Sequence, residues 1–89
     1  MNAIVTVVGV DRVGIIAQVT TCLAQYNINV LDISQTVLQQ YFTMVMMVDA
    51  SACPLPFARL AQVLDEAGQQ QGLSIRIQRE EIFQAMHRI

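Results

Sequence analysis

The sequence predicts an α+β sandwich: four antiparallel strands carrying two helices on one face, followed by a short C-terminal helix. Three observations lead there. Runs of β-branched and apolar residues alternate with runs whose apolar positions recur at helical spacing, in the order βαββαβ. Two of the strand-like runs are apolar at both parities and two alternate, which separates central strands from edge strands. Between the runs lie Gly, Pro and Asn, the residues that end elements.

Taken in order, residues 2–8, NAIVTVV, read as a strand covered on both sides. The run breaks at GVDRVGI, residues 9–15, and resumes with helical spacing over 14–26. Ile16, Val19, Leu23 and Tyr26 then share a stripe flanked by Ile15 and Cys22. YNIN, residues 26–29, ends that helix. In residues 30–38, VLDISQTVL, one parity holds Leu31, Ile33 and Val37 and the other holds Asp32, Ser34 and Thr36, as in an edge strand. Gln39 and Gln40 must then reverse the chain without the glycine or asparagine that tight hairpins favour. Residues 41–49, YFTMVMMVD, are again apolar on both faces, and Met44, Met46 and Met47 read as adaptable core filler.

Pro54 and Pro56 suit the first turn of a second helix, in which Phe57, Leu60, Ala61, Leu64 and Ala67 form a stripe before Gly68 and Gly72. Residues 73–80, LSIRIQRE, alternate as a second edge strand. In the tail, Glu80 and Glu81 favour a helix start, with Ile82, Phe83, Met86 and Ile89 at helical spacing after them. Right-handed crossovers place both main helices on one sheet face and strands one and three at the centre. The result is a ferredoxin-like sandwich with strand order 4-1-3-2.

A chain of 89 residues holds a single domain, spanning 1–89. Its residues are 54% apolar and 13% charged, the latter about half the usual ~25%. With helices on one face only, the far side of the two-sided central strands would meet water, at ~1.5–3 kcal/mol per uncovered side chain. A homo-oligomer, most simply a dimer, is therefore expected.

Several classes are argued against. Five scattered arginines and a net charge of −2 make no footprint for a nucleic-acid backbone. The central-strand positions at which RNA-binding modules of this topology stack bases carry methionines. No apolar run approaches ~20 residues, so no membrane span or membrane partner is expected. Cys22 and Cys53 have no paired-cysteine spacing and fit reduced thiols in a cytoplasmic protein. Gly9 and Gly14 have P-loop spacing, but Ile15 and Ile16 stand where lysine and a hydroxyl residue are needed. His87 has no ligand partner at metal spacing, and neither Cys22 nor Ser34 has a base partner. The expectation is a protein that is not an enzyme, with no metal and no cofactor.

DRVGI followed by NVLD, then YFTMVMMV, together resemble the ACT domain, a small-molecule sensing module of amino-acid metabolism. The pattern is similar to the N-terminal domains of formyltetrahydrofolate deformylase and the glycine cleavage system repressor. The DISQTVL and YFTM runs and the IFQAM ending further resemble stand-alone ACT proteins of the UPF0237 type. The resemblance implies paired domains with an amino acid bound at their interface, between the first loop and first helix. By position it nominates Asp11, Gly14 and Asn29, with Arg12, Val13 and Ile15 completing the corner. It also implies action through a separate protein partner.

The physical chemistry of the corner admits this. A helix start offers unpaired amides and a partial positive charge to a carboxylate, and a glycine lets a ligand approach the backbone. Asn29 offers a donor and an acceptor. A purely structural reading stands beside it, in which Asp11 caps the helix, Gly14 eases helix packing, Asn29 makes a turn, and the protein is a ligand-free interaction subunit. Val13 stands where many ACT sequences carry proline, which loosens the loop.

Overall fold

The computed structural model of the chain describes residues 1–81. The elements are β1 (Asn2–Val10), α1 (Ile15–Gln25), β2 (Asn29–Leu38), β3 (Tyr41–Asp49), α2 (Phe57–Gln71) and β4 (Leu73–Arg79). They build one four-stranded sheet of order β2-β3-β1-β4, with every neighbouring pair antiparallel. This is the expected arrangement, with β1 and β3 central. The terminal helix expected around Ile82, Phe83, Met86 and Ile89 falls outside the described residues. Among the described residues no helix is long and apolar enough to cross a membrane.

Alternation along the central strands decides where the core sits. Ala3, Val5 and Val7 of β1 and Met44, Met46 and Val48 of β3 point to the helix side and are fully buried. They meet Val19 and Leu23 of α1, Leu60 and Leu64 of α2, and Ile75 and Ile77 of β4 in one cluster. Val8, Val10 and Tyr41, on the opposite face, are exposed. Val10 and Leu38 both lie opposite Tyr41, so Val10, Tyr41 and Leu38 form an apolar row across three strands. Toward the other end of that face Ile4 is buried and Val45 and Met47 are half-buried, so the far side of the central strands is uncovered at this end and not along its whole length.

Several boundaries depart from the expected ones. α2 begins at Phe57, with both prolines ahead of it: Pro56 sits at ψ 150°, in extended backbone. Proline also drives the residue before it out of helical geometry, so Pro54 and Pro56 lead into this helix rather than forming its first turn. The helix also runs through Gly68 and stops only at Gly72. A Cβ on Gly68 would stand 2.7 Å from the Leu73 carbonyl oxygen, so this glycine lets α2 press against the start of β4. In β2, a bulge between Val30 and Asp32 shifts the register. Beyond it Ile33 pairs with Met46 and Val37 with Phe42, which places the odd-numbered residues on the helix side.

Although it faces the helix layer, β2 is barely covered. Ile33 is 41% exposed and Val37 52%. Only Val30 along this strand is even half-buried. Gln39 and Gln40 do turn the chain, and Gln39 takes φ 56° to do so. Positive φ at the first loop residue belongs to a hairpin turn whose twist suits the flanking strands.

Candidate functional site

The β1–α1 corner is built from backbone. β1 ends at Val10, and the Asp11 amide donates to the Gln40 carbonyl at 2.7 Å, which ties the corner to the tip of the β2–β3 hairpin. Gly14 then turns the chain at φ 92°, ψ 1°, a left-handed conformation that favours glycine, and α1 starts at Ile15. The Gln18 amide donates to the Gly14 carbonyl at 2.9 Å and closes the first helical turn.

Gly14 is the N-cap, and no side chain caps the helix. This corrects two parts of the structural reading. Asp11 lies three residues ahead of Gly14 and makes no capping bond. A Cβ built on Gly14 meets nothing within 4 Å, so the glycine serves its positive φ and not close packing. The amides of Ile15, Ile16 and Ala17 precede the first intrahelical donor, so the helix itself does not satisfy them.

The side chains around this backbone carry the local charge. Arg12 Nη2 donates to Gln18 Oε1 at 2.8 Å, which lays the guanidinium beside the first turn of α1. The first turn contains no acidic residue. A cation at the positive end of a helix is locally unfavourable, by ~0.3–1 kcal/mol, and an anion placed there reverses the sign. Val13 is 99% exposed, whereas Ile15 is 2% exposed and offers the site its backbone alone.

Between this corner and β2 lies a groove of about 270 Å³. Asp11, Arg12, Gly14 and Ile16 form one side, and Gln35, Val37 and Phe42 form the other. Reading the sequence missed this second side. A signal for Gln35 was present, because it is the one polar residue on the otherwise apolar parity of Ile33 and Val37. Val37 and Phe42 become neighbours only through strand register.

Asn29 is not in this groove. It pairs opposite Asp49, as does Asn2, while Val10 and Leu38 pair opposite Tyr41 at the other end of the sheet. One strand length, on the order of 25 Å at ~3.3 Å per residue, separates Asn29 from the corner. The nominated residues therefore fall into two groups within one chain: Asp11 to Ile15 together, and Asn29 apart. The physical reason is topological, since α1 carries the chain back to the end where β1 began.

Asn29 instead adjoins a polar turn. Ser51 donates to Asp49 Oδ1 through its hydroxyl at 2.6 Å and its amide at 2.9 Å. The Met1 ammonium lies 3.5 Å from the same oxygen and also donates to Ser51 Oγ. The Ser51 hydroxyl first, then its amide, hold the Asp49 carboxyl below its ordinary pKa.

An alternating sheet with two helices on one face, and a glycine-opened loop feeding the first helix, define the class. Residues 2–78 match the sequence profile of the ACT domain, and the chain belongs to that family. It is 52% identical over 89 residues, the full length of both chains, to a UPF0237 protein of Clostridium acetobutylicum. An ACT domain protein from Streptococcus pneumoniae has the same fold, with TM-score 0.84 and 42% identity over 98% of each chain. A putative glycine cleavage system transcriptional repressor aligns with TM-score 0.72 and 26% identity, over 86% of this chain and 44% of that one. The fold recurs in a formyltetrahydrofolate deformylase from Pseudomonas syringae, with TM-score 0.77 and 22% identity over 86% of this chain and 26% of the other.

Proposed function

We propose that this ACT domain protein is a non-catalytic regulatory module, which holds an amino acid or a similar small carboxylate at the β1–α1 corner and acts through a protein partner. The observation that carries the reading is the uncapped start of α1, open at Gly14 and flanked by Arg12. Free amides, a helix dipole and a guanidinium all favour a carboxylate there. The ligand's ammonium would face Asp11, and its side chain would lie along Val37 and Phe42 with Gln35 beside it. A groove of about 270 Å³ sits just below the ~300–1,000 Å³ of drug-sized pockets and suits a ligand of amino-acid size.

In the same reading the working form is a homodimer joined along β2, an exposed ten-residue edge strand whose single charge is Asp32. An edge with so little charge and no proline invites pairing. Antiparallel pairing centred on Gln35 would set Ile33 against Val37 of the second copy, apolar against apolar. It would also carry Asn29 of the second copy toward the Leu38–Gln40 end, beside the corner. The two groups of nominated residues would then form one site across the interface. Two free, half-buried cysteines fit a cytoplasmic setting.

A calorimetric screen of the twenty amino acids tests the reading. Wild type should bind at least one, Arg12→Gln should weaken it, and Asn29→Ala should cost ~1–3 kcal/mol by leaving a ligand group unpaired. If wild type binds none at millimolar concentration, or both variants bind as tightly as wild type, the corner is a structural turn. The exposed β2 edge then favours a ligand-free interaction subunit.

A further inference from the structure

Away from the corner, α1 and α2 are separated by a groove of about 470 Å³ on the outer face of the helix layer. Its lining residues carry no charged side chain, and five of the eight are neutral hydrogen-bonding residues, Gln18, Thr21 and Gln25 from α1 and Gln70 and Gln71 from α2. A cation would lose hydration there with no counter-charge in return, an anion would find only the Arg12 guanidinium already hydrogen-bonded to Gln18, and an apolar solute would strip water from amides without pairing them. The lining therefore selects a neutral solute that both donates and accepts.

Two of the amides narrow this further. A guanidinium has donors only, so the Arg12 contact occupies the oxygen of Gln18 and leaves its nitrogen as the group it can present. Gln71 is the complement: its Oε1 is buried and has no hydrogen-bond partner. Gln18 lies in the first turns of α1 and Gln71 is the last residue of α2, and the antiparallel topology brings those two places to the same end of the sheet. We propose that the α1–α2 groove is a second binding site, which takes a neutral primary amide or lactam: its carbonyl accepts from the Gln18 amide nitrogen, and its N–H donates to Gln71 Oε1 once that side chain turns from its buried, unpaired position into the groove. The site is distinct from the corner, which it adjoins through the Arg12–Gln18 hydrogen bond.

Cys22 also lines the groove and supplies the readout, while Cys53 packs against the core elsewhere and serves as a control in the same molecule. The rate at which N-ethylmaleimide labels each thiol in the full chain would be followed by mass spectrometry at fixed pH. The probes are nicotinamide, its anionic counterpart nicotinate and the amide-free 3-methylpyridine. Nicotinamide should slow labelling of Cys22 several-fold in a saturable way and leave Cys53 unchanged, while the other two protect neither thiol. Gln71→Leu should raise the nicotinamide concentration for half-protection about tenfold. If that variant labels Cys53 at an unfolded rate, Gln18→Met reads the same loss from the other wall. The proposal is overturned if nicotinamide gives no protection, if nicotinate or 3-methylpyridine protects equally, if Cys53 slows in step, or if a folded variant keeps the wild-type protection curve.

Discussion

Gly14 and Arg12 each break a local rule at the start of α1, one by leaving the helix without a side-chain cap and the other by placing a cation at the positive end of a helix. Broken local rules concentrate at functional sites, where another requirement overrides them. Because a Cβ on Gly14 would meet no atom, Gly14→Ala should cost only the left-handed strain, ~1–2 kcal/mol, and Gly14→Asn less, since asparagine tolerates that region. Urea midpoints of the three proteins check this, and a loss well beyond that range would reveal packing that the open space does not suggest. At the opposite end, Asp49 has a folded pKa below its unfolded one, chiefly through the Ser51 hydroxyl. Its contribution is therefore present above the unfolded value of ~3.9 and is lost as pH falls through the folded value. Melting temperatures at neutral and strongly acid pH should fall less for Asp49→Asn than for wild type. Equal acid sensitivity would show that this turn adds nothing to the pH dependence.

Among the elements, the β2–β3 hairpin is where sequence and conformation agree least. Gln39 and Gln40 were legible as a reversal because two strand-like runs abut there, but the sequence carries no mark of the positive φ at Gln39. The long antiparallel ladder on either side holds the turn in place, since nine-residue β3 must pair along its whole length with β1. Gln39→Gly should therefore raise stability by ~0.5–1 kcal/mol, with relief of strain outweighing the added freedom of the unfolded chain. Chemical denaturation reads the change directly, and a destabilised variant would contradict it. Helix α2 gives the converse lesson. Gly68 resembles a stop signal in sequence, yet it is a packing contact with β4, because only the tertiary fold reveals that Leu73 comes within reach of it.

At the scale of the molecule, the uncovered apolar surface lies along β2 and at one end of the sheet's outer face. Sedimentation at micromolar concentration should give a dimer or larger species. Val37→Lys should shift it toward the monomer by placing a charge in the paired edge while the core is left intact. A wild-type monomer would remove the association, and with it the shared site. An unchanged dimer in the variant would move the interface away from β2.

The order of elements, the central and edge roles of the strands and the helix-facing core were decided by the sequence itself. Hydrophobic periodicity is a local property, written wherever one side of an element must leave water. The same locality exposed the β1–α1 corner as a place where that pattern is interrupted. It could not show that Gln35, Val37 and Phe42 face the corner, because that depends on β3 pairing with the distant β1, which sets Val10 opposite Tyr41 and brings the hairpin beside the end of β1. Nor could it show that Asn29 stands a strand length away, since residues drawn into one motif by their order along the chain are parted when α1 returns the backbone to the far end of the sheet. Those distances come into being only when the strands pair, and tertiary structure alone decided them.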